Sequence, residues 1–295
     1  MMKSAFVGSG VALITPFVCG KIDYKSLGKM IDFQLEHKTD AIILLGTTGE
    51  PATICDEDKK EMIKFAKERI NGKAKLIVGS GANSTKKAIE NSILAQSLGA
   101  DGLLVVTPYY NKCTQKGLLE HYKAISYAVN IPIICYNVPL RTGVNITPET
   151  ALALSQIENI AGIKEASGNI NQITTLCRLL DGKMAVYSGD DGLNYVFMTL
   201  GASGVISVTA NVLPSKVKSV VTLCQMGQYE EAKSRQNELE DINKALFLEV
   251  NPIPVKYACH LIGLCRKEIR LPLTFPEKAT KQKLKTCLEK FCELK

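Results

Sequence analysis

The sequence predicts an α/β fold: a closed (β/α)8 TIM barrel followed by a C-terminal helical extension. Eight short, nearly continuous apolar runs occur in the first 210 residues, and they begin about 30 residues apart, the length of one βα unit. Apolar residues recur at helical spacing between the runs. This alternation is typical of a parallel sheet covered by helices. An open doubly wound sheet is the alternative, but no glycine-rich dinucleotide fingerprint follows the first run.

Each predicted strand is a short apolar run bounded by turn residues. The runs are VALITPF from Val11, AIILLG from Ala41, KLIVGSG from Lys75, GLLVVTP from Gly102, PIICYNVP from Pro132, IAGIKEAS from Ile160, MAVYSGD from Met184 and GVISV from Gly204. Between the first two runs, Leu27, Met30, Ile31 and Leu35 repeat at helical spacing, which predicts an amphipathic helix. Eight strand-helix units are the number that closes a barrel.

The helical pattern continues beyond the eighth strand, which predicts more than one crossover helix. The segments are Ser215 to Met226, Tyr229 to Val250, a segment from Pro254, and Pro276 to Leu294. In the last segment the apolar face comprises Leu284, Cys287, Leu288, Phe291 and Leu294. We therefore predict a catalytic barrel over residues 1–214 and a helical region over 215–295 that packs on it.

Composition excludes several classes of protein. The chain has 295 residues, of which 46% are hydrophobic, and no apolar stretch is long enough for a membrane span. Without a secretory leader pattern, we expect a soluble cytoplasmic protein. Its net charge of +7 is spread over helical stretches, aromatic residues are only 6% and tryptophan is absent, so nucleic acid is not an expected partner. The positive charge suits an anionic substrate instead.

Cysteine and histidine usage argues against metal or thiol chemistry. Ten cysteines lie far apart, which favours reduced thiols over a disulfide scaffold. No CxxC pair occurs, and His37, His121 and His260 are distant from one another in sequence. Neither a zinc site nor a Cys/His nucleophile therefore has its ligands, and no metal is expected.

Lys164 is the anomalous residue of the sixth predicted strand. Active sites of barrels lie at the carboxyl ends of strands, and Lys164 follows apolar residues there. Burial favours the neutral amine, and a neutral lysine attacks carbonyl groups, so Lys164 is a Schiff-base candidate. The alternative is an ammonium that reaches solvent or pairs with Glu165. Lys256, in NPIPVK, is a second candidate, but it lies beyond the eighth strand.

Hydroxyl groups at other strand ends could transfer the protons that imine chemistry requires. Tyr136 ends the fifth predicted strand, next to Lys164 in a barrel, while Thr47, Thr48, Tyr109 and Tyr110 follow the second and fourth. For each tyrosine the alternative is an aromatic residue on the barrel rim. The GTTGE loop that contains both threonines offers backbone N–H groups to a small carboxylate, although such loops are often only turns.

Two further groups of charged residues follow predicted strands. Arg141 lies on the loop after Tyr136, and its guanidinium suits a second carboxylate, with a surface salt bridge as the alternative. Asp190 and Asp191 follow the seventh strand without a third carboxylate nearby, which favours capping of the next helix over binding of a cation.

Six motifs together resemble a known family. They are GTTGE from Gly46, VTPYYN from Val106, YNVPLRTG from Tyr136, GIKEASGN from Gly162, SGDDG from Ser188 and NPIPVK from Asn251. Across nearly the whole chain they resemble the 4-hydroxy-tetrahydrodipicolinate synthase (dihydrodipicolinate synthase) family. The wider superfamily of pyruvate-dependent class I aldolases, with N-acetylneuraminate lyase, shares the glycine loop, the tyrosine and the lysine. The second tyrosine, Tyr110, and the arginine, Arg141, narrow the resemblance from this superfamily to the synthase family.

The resemblance implies a lyase that condenses pyruvate with L-aspartate 4-semialdehyde to 4-hydroxy-tetrahydrodipicolinate, the first committed step of diaminopimelate and lysine biosynthesis. It implies no cofactor, because pyruvate forms an imine on Lys164. The implied catalytic partners are Tyr136 as proton shuttle, Thr47 as its relay and Tyr110 as a hydroxyl donated by a neighbouring subunit. The implied substrate-binding residues are Thr48, beside the pyruvate carboxylate, Arg141, on the semialdehyde carboxylate, and Gly189 and Ile206, whose backbones line the pocket.

The resemblance also implies an assembly and a difference in regulation. A donated tyrosine requires a dimer, and members of the family are commonly homotetramers built from two tight dimers. Lysine-inhibited relatives carry histidine and glutamate at the positions of Lys59 and Lys87, beside Asn83 and Tyr109, which match. Two added cations repel the ammonium of free lysine, so weak or absent feedback inhibition is expected.

Two other functions stay open at this point. A lyase for sialic acid or sugar acids needs groups that bind hydroxyls where this loop has Leu140 and Arg141. A non-catalytic barrel that senses a keto acid keeps the Lys164 pocket without turnover. Against the sensor, every group needed for the proton relay is present and no additional interaction module is visible.

Overall fold

The computed structural model describes residues 3–291, in which eight parallel strands form a closed barrel. In barrel order the strands are β1 (Gly8–Ala12), β4 (Ala41–Leu44), β5 (Lys75–Gly79), β6 (Gly102–Val106), β7 (Ile133–Asn137), β8 (Ile160–Glu165), β9 (Ala185–Ser188) and β10 (Gly204–Ser207). β10 pairs with β1 and closes the ring. A short antiparallel pair, β2 (Phe17–Val18) and β3 (Lys21–Ile22), follows β1. The predicted (β/α)8 barrel is therefore confirmed.

The predicted strand starts differ from the observed ones where the sequence lacks an apolar signal. β1 begins at Gly8 instead of Val11, because Gly8, Ser9 and Gly10 carry no apolar side chain. β7 begins after Pro132, whose missing N–H cannot join the ladder. The pattern does not predict the β2 and β3 pair, since two-residue strands have no periodicity to detect.

Thirteen α-helices are present in residues 3–291. They are α1 (Tyr24–Glu36), α2 (Asp56–Ile70), α3 (Thr85–Ser97), α4 (Gln115–Ala128), α5 (Pro139–Thr142), α6 (Pro148–Leu154), α7 (Ile170–Leu180), α8 (Asn194–Thr199), α9 (Pro214–Gln225), α10 (Tyr229–Glu238), α11 (Glu240–Ala245), α12 (Ile253–Leu261) and α13 (Lys278–Glu289). Several begin at side-chain caps. The Asn169 side chain, for example, accepts from Gln172 N at the start of α7, immediately after the strand that carries Lys164.

The barrel separates two apolar layers because side chains alternate along each strand. The layer inside the barrel contains, among others, Ala12, Ile43, Ile77, Leu104, Ile134, Tyr136, Tyr187 and Ile206. The layer between strands and helices is larger and is continuous with the C-terminal helices. A polar side chain that points into the barrel is therefore surrounded by apolar groups.

The C-terminal helices pack on the barrel and on each other. α9 contacts β1, and α13 contacts both α11 and α12. On α13, Leu284, Cys287 and Leu288 are buried, which agrees with the predicted apolar face. Leu294, the last residue of that predicted face, lies outside the described residues. The predicted segment from Tyr229 to Val250 is two helices, α10 and α11, instead of one.

Candidate active site

Lys164 lies near the end of β8 with its side chain inside the barrel and only 5% of the residue exposed. Burial lowers the pKa of its amine to about 8. The nearby Arg141 charge lowers this pKa further, while the Asp191 carboxylate opposes the shift. At pH 7 about one such amine in ten is neutral, against about one in 2,500 for a free lysine. The barrel thus supplies the nucleophilic form of the lysine.

Tyr136 stands directly opposite Lys164 on the neighbouring strand. The register between β7 and β8 shifts after Ile133, which pairs with Ile160, whereas Ile134 pairs with Gly162. This irregularity brings Tyr136 into register with Lys164, and the lysine Nζ lies 4.5 Å from the centre of the phenol ring. A β-bulge re-aims side chains in this way, and here it sets a phenol beside an amine.

The Tyr136 phenol is buried and its pKa is raised. Burial is the main cause, while the Arg141 charge and the hydrogen bond with the Thr47 side chain oppose the shift. The phenol therefore keeps its proton at neutral pH and can donate it to a departing oxygen. Thr47 is the hydrogen-bond partner of this phenol.

Thr47 and Thr48 open a single 3₁₀ turn, Thr47–Gly49, directly after β4. The first N–H groups of such a turn have no acceptor within it, so they can donate to a small anion. The turn is tied to the barrel from the opposite side, because the Thr15 hydroxyl donates to Gly49 O at 2.7 Å. Glu50 ends the turn in a left-handed backbone conformation, φ 54°.

The turn is also fixed by residues from the C-terminal region. Asn251 Nδ2 donates to Thr48 Oγ1 at 2.9 Å. Lys256 on α12 forms a buried ion pair with Glu50, with 2.6 Å between Nζ and Oε1. The amine of this second Schiff-base candidate is therefore engaged by a carboxylate, which Lys164 lacks.

Arg141 lies on the one-turn helix α5, just after β7. Its Nη2 donates to the backbone oxygen of Asn251 at 2.9 Å, which points the guanidinium over the barrel opening. It is close enough to Lys164 and Tyr136 to lower the pKa of both groups. Arg141 is an exposed residue that lines both cavities, and a guanidinium there suits a carboxylate.

Gly189 follows β9 and lies against the Lys164 side chain. A Cβ at this position would come within 2.9 Å of Lys164 Cε and 2.8 Å of Ala166 Cβ. Only glycine leaves room for the lysine to extend toward the opening. Its backbone is anchored, since Gly189 N donates to Glu165 O at 2.8 Å.

A cavity of about 1140 Å³ opens at this end of the barrel, and it brings most of the predicted site together. Thr47, Thr48, Tyr136, Arg141, Lys164 and Gly189 all line it. Ile206 is buried among the side chains inside the barrel instead of at the cavity wall. Tyr110 is 87% exposed and does not line this cavity or the adjoining one of about 610 Å³.

The alternatives for the charged residues are resolved by their contacts. Glu165 points away from Lys164 and accepts from Asn137 Nδ2, Gln172 Nε2 and Ser167 N, so it is not the partner of the amine. Asp191 accepts from Val208 N and Thr209 N, and Asp190 accepts from Gly192 N. Asp190 thus caps the 3₁₀ turn that follows β9, in line with the capping interpretation. Asp191 instead holds the segment after β10 and caps none of the described helices, so the interpretation is wrong for this residue.

Two parts of the site, Asn251 and Glu50, are not predicted from the sequence. Asn251 stands out there only as the first residue of NPIPVK, and its two contacts join segments more than a hundred residues apart. Glu50 stands out there only as the last residue of GTTGE, and its need for a cation partner follows from its burial, which the sequence does not show.

Two further features bear on the class of protein. None of the helices in residues 3–291 is long and apolar enough to cross a membrane. Nine cysteines are described, and each of them is a free thiol, whereas Cys292 lies outside the described residues.

Comparison with known proteins gives consistent matches. The model of the dihydrodipicolinate synthetase family matches residues 5–291. The 4-hydroxy-tetrahydrodipicolinate synthase of Caldicellulosiruptor saccharolyticus is 52% identical over 96% of each chain. The crystal structure of dihydrodipicolinate synthase from Aquifex aeolicus superposes with a TM-score of 0.96 at 46% identity, covering 98% of this chain and all of the other. That of the Acinetobacter baumannii enzyme, complexed with pyruvate, superposes at 0.94 with 45% identity, covering 96% and 98%.

Proposed function

The chain belongs to the dihydrodipicolinate synthetase family, and from that membership we infer that it is a 4-hydroxy-tetrahydrodipicolinate synthase. This lyase condenses pyruvate with L-aspartate 4-semialdehyde in the biosynthesis of diaminopimelate and lysine. The observation that carries the proposal is the pairing of a buried lysine of lowered pKa with a buried phenol at the same level of the barrel.

The first half of the proposed mechanism forms the enamine. The neutral Lys164 amine attacks the carbonyl carbon of pyruvate. The oxygen takes one proton from the attacking nitrogen and a second from Tyr136, and it leaves as water. Loss of a methyl proton from the imine then gives the enamine, with Thr47 relaying protons to and from the phenol. The N–H groups and hydroxyls of the Thr47 and Thr48 turn hold the pyruvate carboxylate.

The second half makes the carbon-carbon bond. The enamine carbon attacks the aldehyde carbon of the semialdehyde, whose oxygen takes a proton through the same relay. Arg141 binds the semialdehyde carboxylate in bidentate fashion, and Gly189 leaves the space in which Lys164 and its adduct lie. Ring closure by the semialdehyde amino group displaces Lys164 from the imine, so no cofactor is required in this scheme.

Tyr110 supports an assembled enzyme. Its side chain projects from the loop after β6, and its backbone has φ 71°, a conformation that costs energy for a residue with a Cβ. We propose that this strained, exposed tyrosine completes the relay of a neighbouring subunit in a homotetramer built from two dimers. The free thiols of the described cysteines support a reducing compartment, and we propose the cytoplasm.

Reductive trapping tests the central step. Incubation with pyruvate and borohydride, followed by intact mass and peptide mapping, is expected to give one pyruvate adduct, located on Lys164. The adduct should disappear in Lys164→Ala and persist in Lys244→Ala, a matched control because Lys244 lines the same cavity. An adduct on another lysine, or none on folded protein, would overturn the mechanism.

We also propose that free lysine inhibits weakly or not at all. Lys59 and Lys87 line the adjoining cavity and share one carboxylate, with Nζ atoms 3.4 Å and 2.7 Å from the two oxygens of Asp56. Lys87 Nζ also lies 3.9 Å from Glu90 Oε2, but Glu90 does not line the cavity. Two ammonium groups at the cavity wall oppose the binding of a third cation there. Initial rates should be unchanged at sub-millimolar lysine, while the Lys59→His, Lys87→Glu double variant should become sensitive. Strong inhibition of the natural protein would contradict this.

A further inference from the structure

Asn251 lies between α11 and α12, outside the barrel, and yet it contacts two different parts of the site. Its side-chain Nδ2 donates to Thr48 Oγ1 at 2.9 Å. Its backbone oxygen accepts from Arg141 Nη2 at 2.9 Å. The residue is 6% exposed and lines both cavities, so it lies at the wall that separates them.

The two contacts of Asn251 connect the Thr48 turn with the Arg141 side chain. A three-residue turn and a long guanidinium side chain both lose conformational freedom when they bind a carboxylate. A hydrogen bond that fixes each of them before the substrate arrives removes part of that loss. Because a single residue makes both bonds, a displacement of the Thr48 turn is transmitted to the main chain that holds Arg141.

The Asn251 side chain also carries an unsatisfied group. Among the described residues, its buried Oδ1 has no hydrogen-bond partner. An unpaired buried acceptor is unfavourable for stability, and an apolar side chain would avoid it. A polar group kept at such a position indicates a role other than packing.

We infer that Asn251 is a positioning residue that couples the two carboxylate subsites, so that the pyruvate turn and Arg141 are aligned together. The inference rests on the proposed function, since it assigns one subsite to each substrate. Its consequence is that disturbance of either subsite weakens the binding of both substrates.

The test is a steady-state comparison of four variants. Asn251→Ala keeps the backbone oxygen that accepts from Arg141 but removes the side-chain bond to Thr48, so it should raise the KM for pyruvate about tenfold and the KM for the semialdehyde about threefold, with kcat lowered less than threefold. Thr48→Val should raise the pyruvate KM strongly and also raise the semialdehyde KM about threefold, because Asn251 loses its anchor. Adding Thr48→Val to Asn251→Ala should then cost less than the product of the single effects. Asn91→Ala, an amide truncation elsewhere in the smaller cavity, should leave both KM values unchanged.

The possible outcomes separate coupling from a purely structural role. If Asn251→Ala lowers the melting temperature but changes neither KM, or changes only one, the residue is structural and the coupling is absent. If Asn251→Ala does not fold, the semialdehyde KM of Thr48→Val decides, and an unchanged value rejects the coupling. Wild-type protein that neither traps pyruvate nor condenses it would refute the proposed function instead, which keeps the two failures distinct.

Discussion

Two lysines are buried among residues 3–291, and their surroundings differ. Lys164 and Lys256 are 5% and 4% exposed, and each Nζ lies over an aromatic ring, 4.5 Å from the centre of Tyr136 and 4.1 Å from that of Phe17. Burial lowers the pKa of both amines. Lys256, however, has the Glu50 carboxylate at 2.6 Å, whereas Lys164 faces a cavity.

Burial alone therefore does not make a lysine a nucleophile. In the Lys256 pair, burial also raises the pKa of Glu50, and the attraction between the two charges opposes both shifts. The Lys256 amine forms an ion pair with Glu50 and lines neither cavity. The Lys164 amine, by contrast, faces the cavity and has the Tyr136 phenol beside it. Its burial is unfavourable for stability, and this cost is typical of a residue kept for its chemistry.

The largest expected effect separates activity from stability. Lys164→Met should lower kcat by about 10³-fold or more, because no other group can form the imine. Its free energy of unfolding should not fall, since the substitution removes a buried amine without a carboxylate partner. Urea unfolding and condensation rates measure the two quantities. A clear loss of stability would mean that Lys164 is a structural cation like Lys256.

The opposite result is expected at the other lysine. Lys256→Met should lower the free energy of unfolding by about 3–5 kcal/mol, because it leaves the Glu50 carboxylate buried and unpaired. Trapping of pyruvate on Lys164 should continue below the unfolding transition. Adding Glu50→Gln should restore part of the stability, since it removes the orphaned charge. If Lys256→Met and the double variant were equally stable, an unpaired Glu50 charge would not be the cause of the lost stability.

The smallest expected effect is on pH dependence. At low pyruvate, the rate of imine formation should rise about tenfold per pH unit below pH 8 and level off above it, as the neutral amine becomes the main form. The sign follows from the lowered pKa, because protonation below pH 8 removes the nucleophile. Stopped-flow measurement of adduct formation would reveal this. A rise that continues to pH 10 would indicate an ordinary lysine.

Much of the site is predictable from the order of residues along the chain, for a physical reason. In a parallel barrel, residues that follow the strands meet at one end, so the pattern alone groups Lys164, Tyr136 and the Thr47 turn. The strands themselves are visible because buried strands are continuously apolar. The β2 and β3 pair and the break between α10 and α11 carry no such pattern, so neither is predicted.

The sequence by itself determined the barrel, its active end and the chemistry of a lysine among hydroxyl groups, because these follow from local periodicity and residue type. Only the tertiary structure decided which residue stands opposite Tyr136, since the shift between β7 and β8 is a property of two paired strands. The tertiary structure also decided that Lys256 forms an ion pair with Glu50, and that Asn251 forms hydrogen bonds with both Thr48 and Arg141. These contacts depend on how the C-terminal helices pack across the barrel opening, and that packing is set by shape complementarity between segments far apart in the chain.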